Sequence, residues 1–373
     1  MSKAAQDFIK KHNIPRLGFG CMRLPTLGSD DKIDIEEVKK MVDVYMKAGH
    51  NYFDTAYGYH GGKSENCVKE AVVKRYPRES FTLVDKLPIW SCETAGDVER
   101  VFGEQLERCG TTYFDIYLLH ALNNDLNDKH EKFGSYEFCQ KMKDEGKIKS
   151  FGFSFHGTTD DLRKIMEKHH EQIDVVQLQL NYFDWLGSYK EQFEIVKSYD
   201  KPVVCMEPVR GGMLAKLPDY IYDIFKKSEP DASAASWAVR WVADIPEVIT
   251  VLSGMSNMEQ LLDNINTLKD FTALSDEQYA VIDKAAGALL DIPSVPCTYC
   301  NYCSDCPIGI PIAKIFEIYN KFLGDRSMFS FKTAYKEIDA DKNASACISC
   351  GVCAVCPQTI DIPERMKEIA VLM

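Results

Sequence analysis

Apolar residues in this chain follow two alternating rhythms. Short, nearly unbroken apolar runs stand at 16–20 (RLGFG), 51–55 (NYFDT), 81–86 (FTLVDK), 114–120 (FDIYLLH), 148–154 (IKSFGFS), 175–181 (VVQLQLN), 202–208 (PVVCMEP) and 248–254 (VITVLSG). Between them, apolar residues recur at spacings of three and four. In 33–49, Val38, Met41, Val42, Tyr45 and Met46 share one helical face, and Gly49 stands where a left-handed closing residue belongs. The stretches at 94–110 and 158–170 have the same pattern, with Thr and Asp placed to cap their starts.

Continuous apolar runs, each followed by a helix, predict parallel strands buried on both faces. Two α/β architectures fit: an open doubly wound sheet and a closed (β/α)8 TIM barrel. Eight units in about 250 residues is the barrel's length. A barrel also gathers polar residues where its strands end, and Asp54, Lys86, His120, Ser154, Gln177, Asn181 and Glu207 all stand there. No GxGxxG follows a strand, so the Rossmann fingerprint is missing. Two more helices are expected after Gly254. At Asp291 the texture changes: DIPSVP reads as a linker, and a cysteine-rich segment follows. The predicted division is a barrel over 1–290 and a small helical and loop domain over 291–373.

The chain has 373 residues, 45% hydrophobic and 27% charged, an ordinary globular balance. Its net charge of -12 argues against nucleic acid, which needs a basic stripe, and is compatible with a basic protein partner. The first residues lack a signal peptide's apolar run, and no stretch has 18 uncharged apolar residues, so no membrane span and a cytoplasmic location are expected.

Fourteen cysteines change the picture. Six of them (Cys21, Cys67, Cys92, Cys109, Cys139, Cys205) are scattered and read as small buried side chains. The other eight form two runs, PCTYCNYCSDCP and ACISCGVCAVCP, each C-x2-C-x2-C-x2-C-P. Cys297, Cys300, Cys303 and Cys306 recur as Cys347, Cys350, Cys353 and Cys356. Pro307, Ile310 and Ile312 recur as Pro357, Ile360 and Ile362, all fifty residues on, so the segment is duplicated internally. In a reducing compartment such runs bind metal rather than form disulfides. Thiolates at every third residue suit one face of a cuboidal iron–sulfur cluster, with the proline-followed fourth pointing to another. Zinc is the alternative, although zinc sites usually pair two separated knuckles.

The segment resembles a bacterial two-cluster ferredoxin over about 294–364. It departs from that family by having two residues rather than three before the last cysteine of each run. The resemblance implies two [4Fe-4S] clusters with crossed ligands. One takes Cys297, Cys300, Cys303 and Cys356, and the other takes Cys347, Cys350, Cys353 and Cys306. Few large apolar side chains flank the cysteines, so this segment is expected to depend on its metal for stability.

A second constellation lies at the strand ends. Asp54, Lys86 and His120 end the second, third and fourth strands, and Tyr59 lies in the loop after Asp54. A free tyrosine has a pKa of roughly 10. A nearby Lys is expected to lower it, with Asp holding the Lys and His binding a substrate carbonyl or tuning the phenol. Such a phenol can protonate a carbonyl oxygen as hydride reaches the carbon. At these residues, at IPRLGFGCMRLP and at the DTAYGY…SE block, the chain resembles the aldo-keto reductases, over about 14–290. The resemblance implies a barrel that binds NADP or NAD, with Tyr59 as proton donor and Asp54, Lys86 and His120 in support.

It also places cofactor contacts. Ser154 and Gln177 correspond to carboxamide-binding positions, with Phe155 where the family has Asn. Met206 stands in place of a ring-stacking aromatic. Arg210 and Gly211, in PVRGG, resemble the pyrophosphate loop. Gly254, Ser256, Gln260 and Asn264 lie in the segment resembling the adenosine-phosphate site. Many relatives carry a basic residue where Ser256 stands, so this segment selects neither NAD nor NADP. The expected function is reduction of a carbonyl or oxidation of an alcohol on a small molecule, coupled to two iron–sulfur clusters. Clusters move single electrons and nicotinamide moves a hydride, so a flavin or other carrier, or a redox protein partner, would link them. The alternative is an electron-transfer or sensor protein whose barrel is a scaffold.

Overall fold

The computed structural model describes residues 1–28, 32–325 and 327–372. All eight apolar runs form strands: β1 (Leu17–Gly20), β2 (Tyr52–Asp54), β3 (Thr82–Leu87), β4 (Phe114–Leu122), β5 (Ile148–Phe155), β6 (Val175–Gln179), β7 (Val203–Met206) and β8 (Val248–Ser253). They are parallel, and β8 pairs back onto β1, which closes a (β/α)8 barrel rather than an open sheet. The interior is packed by Tyr52, Val84, Ile116, Leu118, Val175, Val204, Ile249 and Leu252. Adjacent strands approach closely at Gly152, where a β-carbon would lie 2.0 Å from the Val175 carbonyl oxygen, so only glycine fits.

The helices begin and end as their sequence signals direct. Asp34 caps Ile35–Lys47, whose Val38, Met41, Val42 and Tyr45 are buried, and Gly49 follows with φ 89°. Thr94 with Asp97, and Thr158 with Asp161, form capping boxes on Ala95–Cys109 and Thr159–His169. One helix was not anticipated, Lys3–His12, capped by Ser2. Its Ala5 and Phe8 join the interior cluster of the barrel. The Thr82 hydroxyl, at the start of β3, donates to the His12 carbonyl, which places this helix at the N-terminal strand ends, away from the polar set.

The chain divides into two compact units, Met1–Pro208 with Ala235–Ser275, and Val209–Ala234 with Asp276–Met373. The first holds the barrel. The second holds both cysteine runs and the helices Asp219–Lys226, Asp276–Leu290, Ile312–Asp325, Met328–Tyr335 and Ile362–Ala370. Apolar packing in the second unit is richer than expected: Ile310, Ile312, Ile315, Phe316, Phe331, Ile360, Ile362 and Met366 are buried together. These residues lie outside the runs in sequence, in the segment after each proline and on the helices, and they fold back around the cysteines. No helix among the described residues is long and apolar enough to cross a membrane.

Candidate functional site

The C-terminal strand ends bring the predicted tetrad together. Lys86 is fully buried, and its Nζ donates to Asp54 Oδ1 at 2.6 Å and to the Thr55 carbonyl at 2.8 Å. The same Nζ lies 3.4 Å from the Tyr59 hydroxyl. The Tyr59 and His120 rings meet edge to face at 5.9 Å, and Trp90, which the sequence reading missed, packs on His120 at 4.9 Å. Tyr57, two residues before Tyr59 in the same loop, is turned away. Its hydroxyl donates to Glu104 at 3.2 Å, and Arg108 lies over its ring.

One electrostatic expectation is corrected. The Tyr59 phenol is pushed well above its ordinary value rather than lowered. Burial is the main cause, and the negative charges of Asp54 and Glu207 add to it. Lys86 is already committed to Asp54, so the pair presents little net charge to the phenol. Burial also raises Asp54, against the opposing pull of Lys86. His120 is driven well below its ordinary value by burial and then by Lys86, so it is neutral at pH 7.

The barrel residues read as cofactor contacts fall into two places. Ser154 and Gln177 are register partners on β5 and β6. The Ser154 hydroxyl accepts from Ala121 N at 2.8 Å. Gln177 Nε2 lies 3.6 Å from Met206 Sδ, while its Oε1 is buried with no hydrogen-bond partner among the described residues. An orphaned acceptor on β6 fits a carboxamide N–H. Elsewhere, Asn264 Nδ2 donates to Ser253 Oγ at 2.7 Å, and Gln260 Oε1 accepts from Ser256 N at 2.8 Å. At Gly254 a β-carbon would meet the Arg23 side chain at 3.1 Å. Arg210 and Gly211 belong to the second unit. There Gly211 faces Thr298, whose carbonyl oxygen lies 2.1 Å from where a β-carbon would be.

The cysteine runs form two cavities with crossed walls. Cys297, Cys300, Cys303 and Cys356 line one of about 310 Å³. Cys306, Cys347, Cys350 and Cys353 line another of about 360 Å³. The crossing extends past the cysteines: Ile360 lines the first cavity and Ile310 the second. Backbone geometry repeats as well. Tyr299, Asn301 and Gly309 have φ of 55°, 61° and 71°, and their counterparts fifty residues on, Ser349, Gly351 and Thr359, have 54°, 79° and 50°. These left-handed residues turn each run around its cavity.

Among the described residues, no three of these sulfurs lie within 4.8 Å of one another. A tetrahedral zinc–thiolate centre would hold them roughly 3.8 Å apart. Burial raises Cys297 and Cys303 to about 12, so as free thiols they keep their protons at neutral pH. The sequence reading also missed Asn320, which braces the first run through Val295 N and O and the Tyr299 hydroxyl. The six scattered cysteines are all buried.

Residues 296–361 match the 4Fe-4S dicluster domain, and residues 16–286 match the Aldo/keto reductase family. An uncharacterized oxidoreductase of Bacillus subtilis is 23% identical over 68% of this chain and 87% of its own length. An NADH-specific methylglyoxal reductase of Escherichia coli is 23% identical over 66% of this chain and 88% of its own. Among solved structures, the holo form of an aldo-keto reductase from Bacillus halodurans superposes with a TM-score of 0.59 at 24% identity, covering 73% of this chain and 92% of that one. A Klebsiella pneumoniae aldo-keto reductase in complex with NADPH gives 0.59 at 22%, covering 73% and 90%. The family match spans most of the chain and contains the whole strand-end tetrad: the chain belongs to the aldo/keto reductase family and carries a 4Fe-4S dicluster domain after its barrel.

Proposed function

We propose that the barrel is a nicotinamide-dependent oxidoreductase that reduces a carbonyl on a small molecule, with Tyr59 as proton donor, and that the cysteine cavities hold two [4Fe-4S] clusters. The observation that carries the first part is the single ammonium of Lys86, 2.6 Å from Asp54 and 3.4 Å from the Tyr59 hydroxyl. Ser154 and Gln177 would hold the carboxamide of a nicotinamide, which supplies the hydride when bound. Met206 lies beside Gln177 on the same wall, and Gly254, Ser256, Gln260 and Asn264 are assigned to its adenosine end.

Tyr59 then works as a held acid. A phenol raised by burial keeps its proton at neutral pH until a stronger base faces it. An oxygen becoming an alkoxide is such a base, so the proton leaves Tyr59 Oη only as the carbonyl is reduced. Neutral His120 can donate one hydrogen bond to the same oxygen and orient it. The same raised pKa disfavours the phenolate needed for alcohol oxidation, so reduction should dominate at pH 7 and oxidation should grow only in alkali.

The cluster assignment follows the cavity walls: Cys297, Cys300, Cys303 and Cys356 for one, Cys347, Cys350, Cys353 and Cys306 for the other. Eight ligand cysteines and six buried thiols suit a reducing cytoplasm. The test is anaerobic purification with metal analysis and assay of aldehydes and ketones with NADH and NADPH. About eight irons per chain and nicotinamide oxidation that depends on the carbonyl are expected. Zinc near two per chain with no visible absorbance would remove the clusters. Eight irons without carbonyl turnover would leave an electron-transfer protein on a barrel scaffold.

A further inference from the structure

We propose that Arg210 is a potential-setting residue: the loop at 209–212 seats the first cysteine run, and its buried guanidinium favours the reduced state of the cluster held by Cys297, Cys300, Cys303 and Cys356. The inference rests on the two-cluster reading above. It gives Arg210 and Gly211 a role other than the pyrophosphate contact implied by the family resemblance.

The geometry lies within one unit. Gly211, at φ 64°, packs backbone to backbone on Thr298: a β-carbon there would lie 2.1 Å from its carbonyl oxygen, 2.7 Å from its carbonyl carbon and 3.0 Å from its Cα. The close approach that glycine permits is therefore spent on the residue after Cys297. Arg210 is 4% exposed and itself left-handed, at φ 47°, with Nη1 3.2 Å from Met213 Sδ. It stands one residue before Gly211, whose backbone contact with Thr298 lies next to Cys297.

The duplication supplies an internal control. Thr298, under Gly211, is 2% exposed, whereas its counterpart Ile348 is 63% exposed. Cys297 is buried and Cys300 half-buried, whereas Cys347 is half-buried and Cys350 exposed; further along, Cys353 is buried and Cys303 half-buried. Two runs of equal spacing thus differ at their starts, one beginning under a loop with a buried cation and the other beginning nearer solvent. A cluster gains a negative charge on reduction. A fixed cation in a desolvated setting stabilises that charge, and cluster potentials follow net charge, hydrogen bonding and exposure.

The experiment is an EPR-monitored potentiometric titration of the full, iron-loaded chain, comparing wild type with Arg210→Met and Arg210→Lys. In Arg210→Met one midpoint should move to more negative potential while the other stays. Arg210→Lys, which keeps the charge, should stay near wild type. If Arg210→Met instead loses about half its iron while Arg210→Lys keeps all of it, the charge serves to hold the cluster rather than to set its potential, and the proposal falls. Unmoved midpoints in an iron-replete Arg210→Met overturn it, as does equal damage in both variants. Weaker NADPH binding with unmoved midpoints overturns it too and returns Arg210 to the phosphate. A wild-type chain that binds no iron removes the two-cluster reading itself.

Discussion

The barrel site and the cysteine cavities solve the problem of burying reactive groups in opposite ways. In the barrel, the buried charges are satisfied by one another: Lys86 is held by Asp54 and the Thr55 carbonyl, on strands whose register is fixed by the closed sheet. In the second unit, four sulfurs line each cavity, turned there by the left-handed residues of each run. The first arrangement holds its charges within the polypeptide. The second is a mould whose strength comes from what fills it. Chemistry that depends on a side chain's protonation belongs to the first kind, and chemistry that depends on a bound inorganic group belongs to the second.

The largest effect that can break this comparison is removal of iron. Anaerobic chelation should free the amides of both cysteine runs to exchange within seconds, while β4 and β5 stay protected, as hydrogen exchange with mass spectrometry can show. The buried Ile315, Phe316 and Met366 should preserve part of the second unit's helicity. Loss of protection in the strands in step with iron would mean that the barrel leans on the clusters as well.

Next in size is Tyr59→Phe. The ring and its edge contact with His120 remain, and the transferable proton is gone. Carbonyl reduction should fall by roughly 10²–10⁴ in kcat, with iron content unchanged. Lys86→Met should do comparable harm, because it leaves Asp54 buried without its partner. Normal turnover by Tyr59→Phe in a folded protein would refute the assignment.

A smaller effect separates the units by acid. His12 and His130 are buried in the barrel unit, with pKa values lowered by burial to about 4 and about 3. Unfolded, each binds its proton near 6.5, so the unfolded state takes up protons first as pH falls. Their contribution is complete above about pH 6.5 and is lost progressively as pH falls, by about 3 kcal/mol each at pH 4. Neither ring nitrogen of His130 has a hydrogen-bond partner among the described residues. His130→Leu should therefore flatten the decline of Tm between pH 7 and 4. A slope equal to wild type's would show that His130 does not titrate in this range.

The smallest expected effect is that of Tyr57→Phe. It removes one hydrogen bond to Glu104 at the protein surface, worth about 0.5–1.5 kcal/mol of stability, and should leave kcat nearly unchanged. A dead Tyr57→Phe beside an active Tyr59→Phe would move the proton donor two residues along the loop.

Strands, helix caps and the tetrad's convergence were legible because each has a local signal: unbroken apolar runs, Thr94 and Thr158 before their helices, polar residues at strand ends. The phenol's raised pKa was not, since it depends on how burial and the commitment of Lys86 to Asp54 balance in space. The helix at Lys3–His12 carried a readable signal in Ala5, Phe8 and His12, yet its destination inside the barrel's packing is a tertiary fact. The apolar surroundings of the cysteines were underestimated for the same reason. The residues that pack there come from beyond the prolines, brought back by turns at Gly309 and Thr359.

The crossing of the cysteine runs also governs how the protein can be made. On a chain growing from its N-terminus, the first run emerges complete, yet its first cavity still lacks Cys356, and Cys306 waits for partners some forty residues away. Neither set of four exists until the second run has left the ribosome. One cavity then closes a loop of about fifty residues and the other a loop of about forty, and the second closure starts with its ends already held together by the first. Iron should therefore enter late and as a pair, with chains holding a single cluster scarce at every stage of loading.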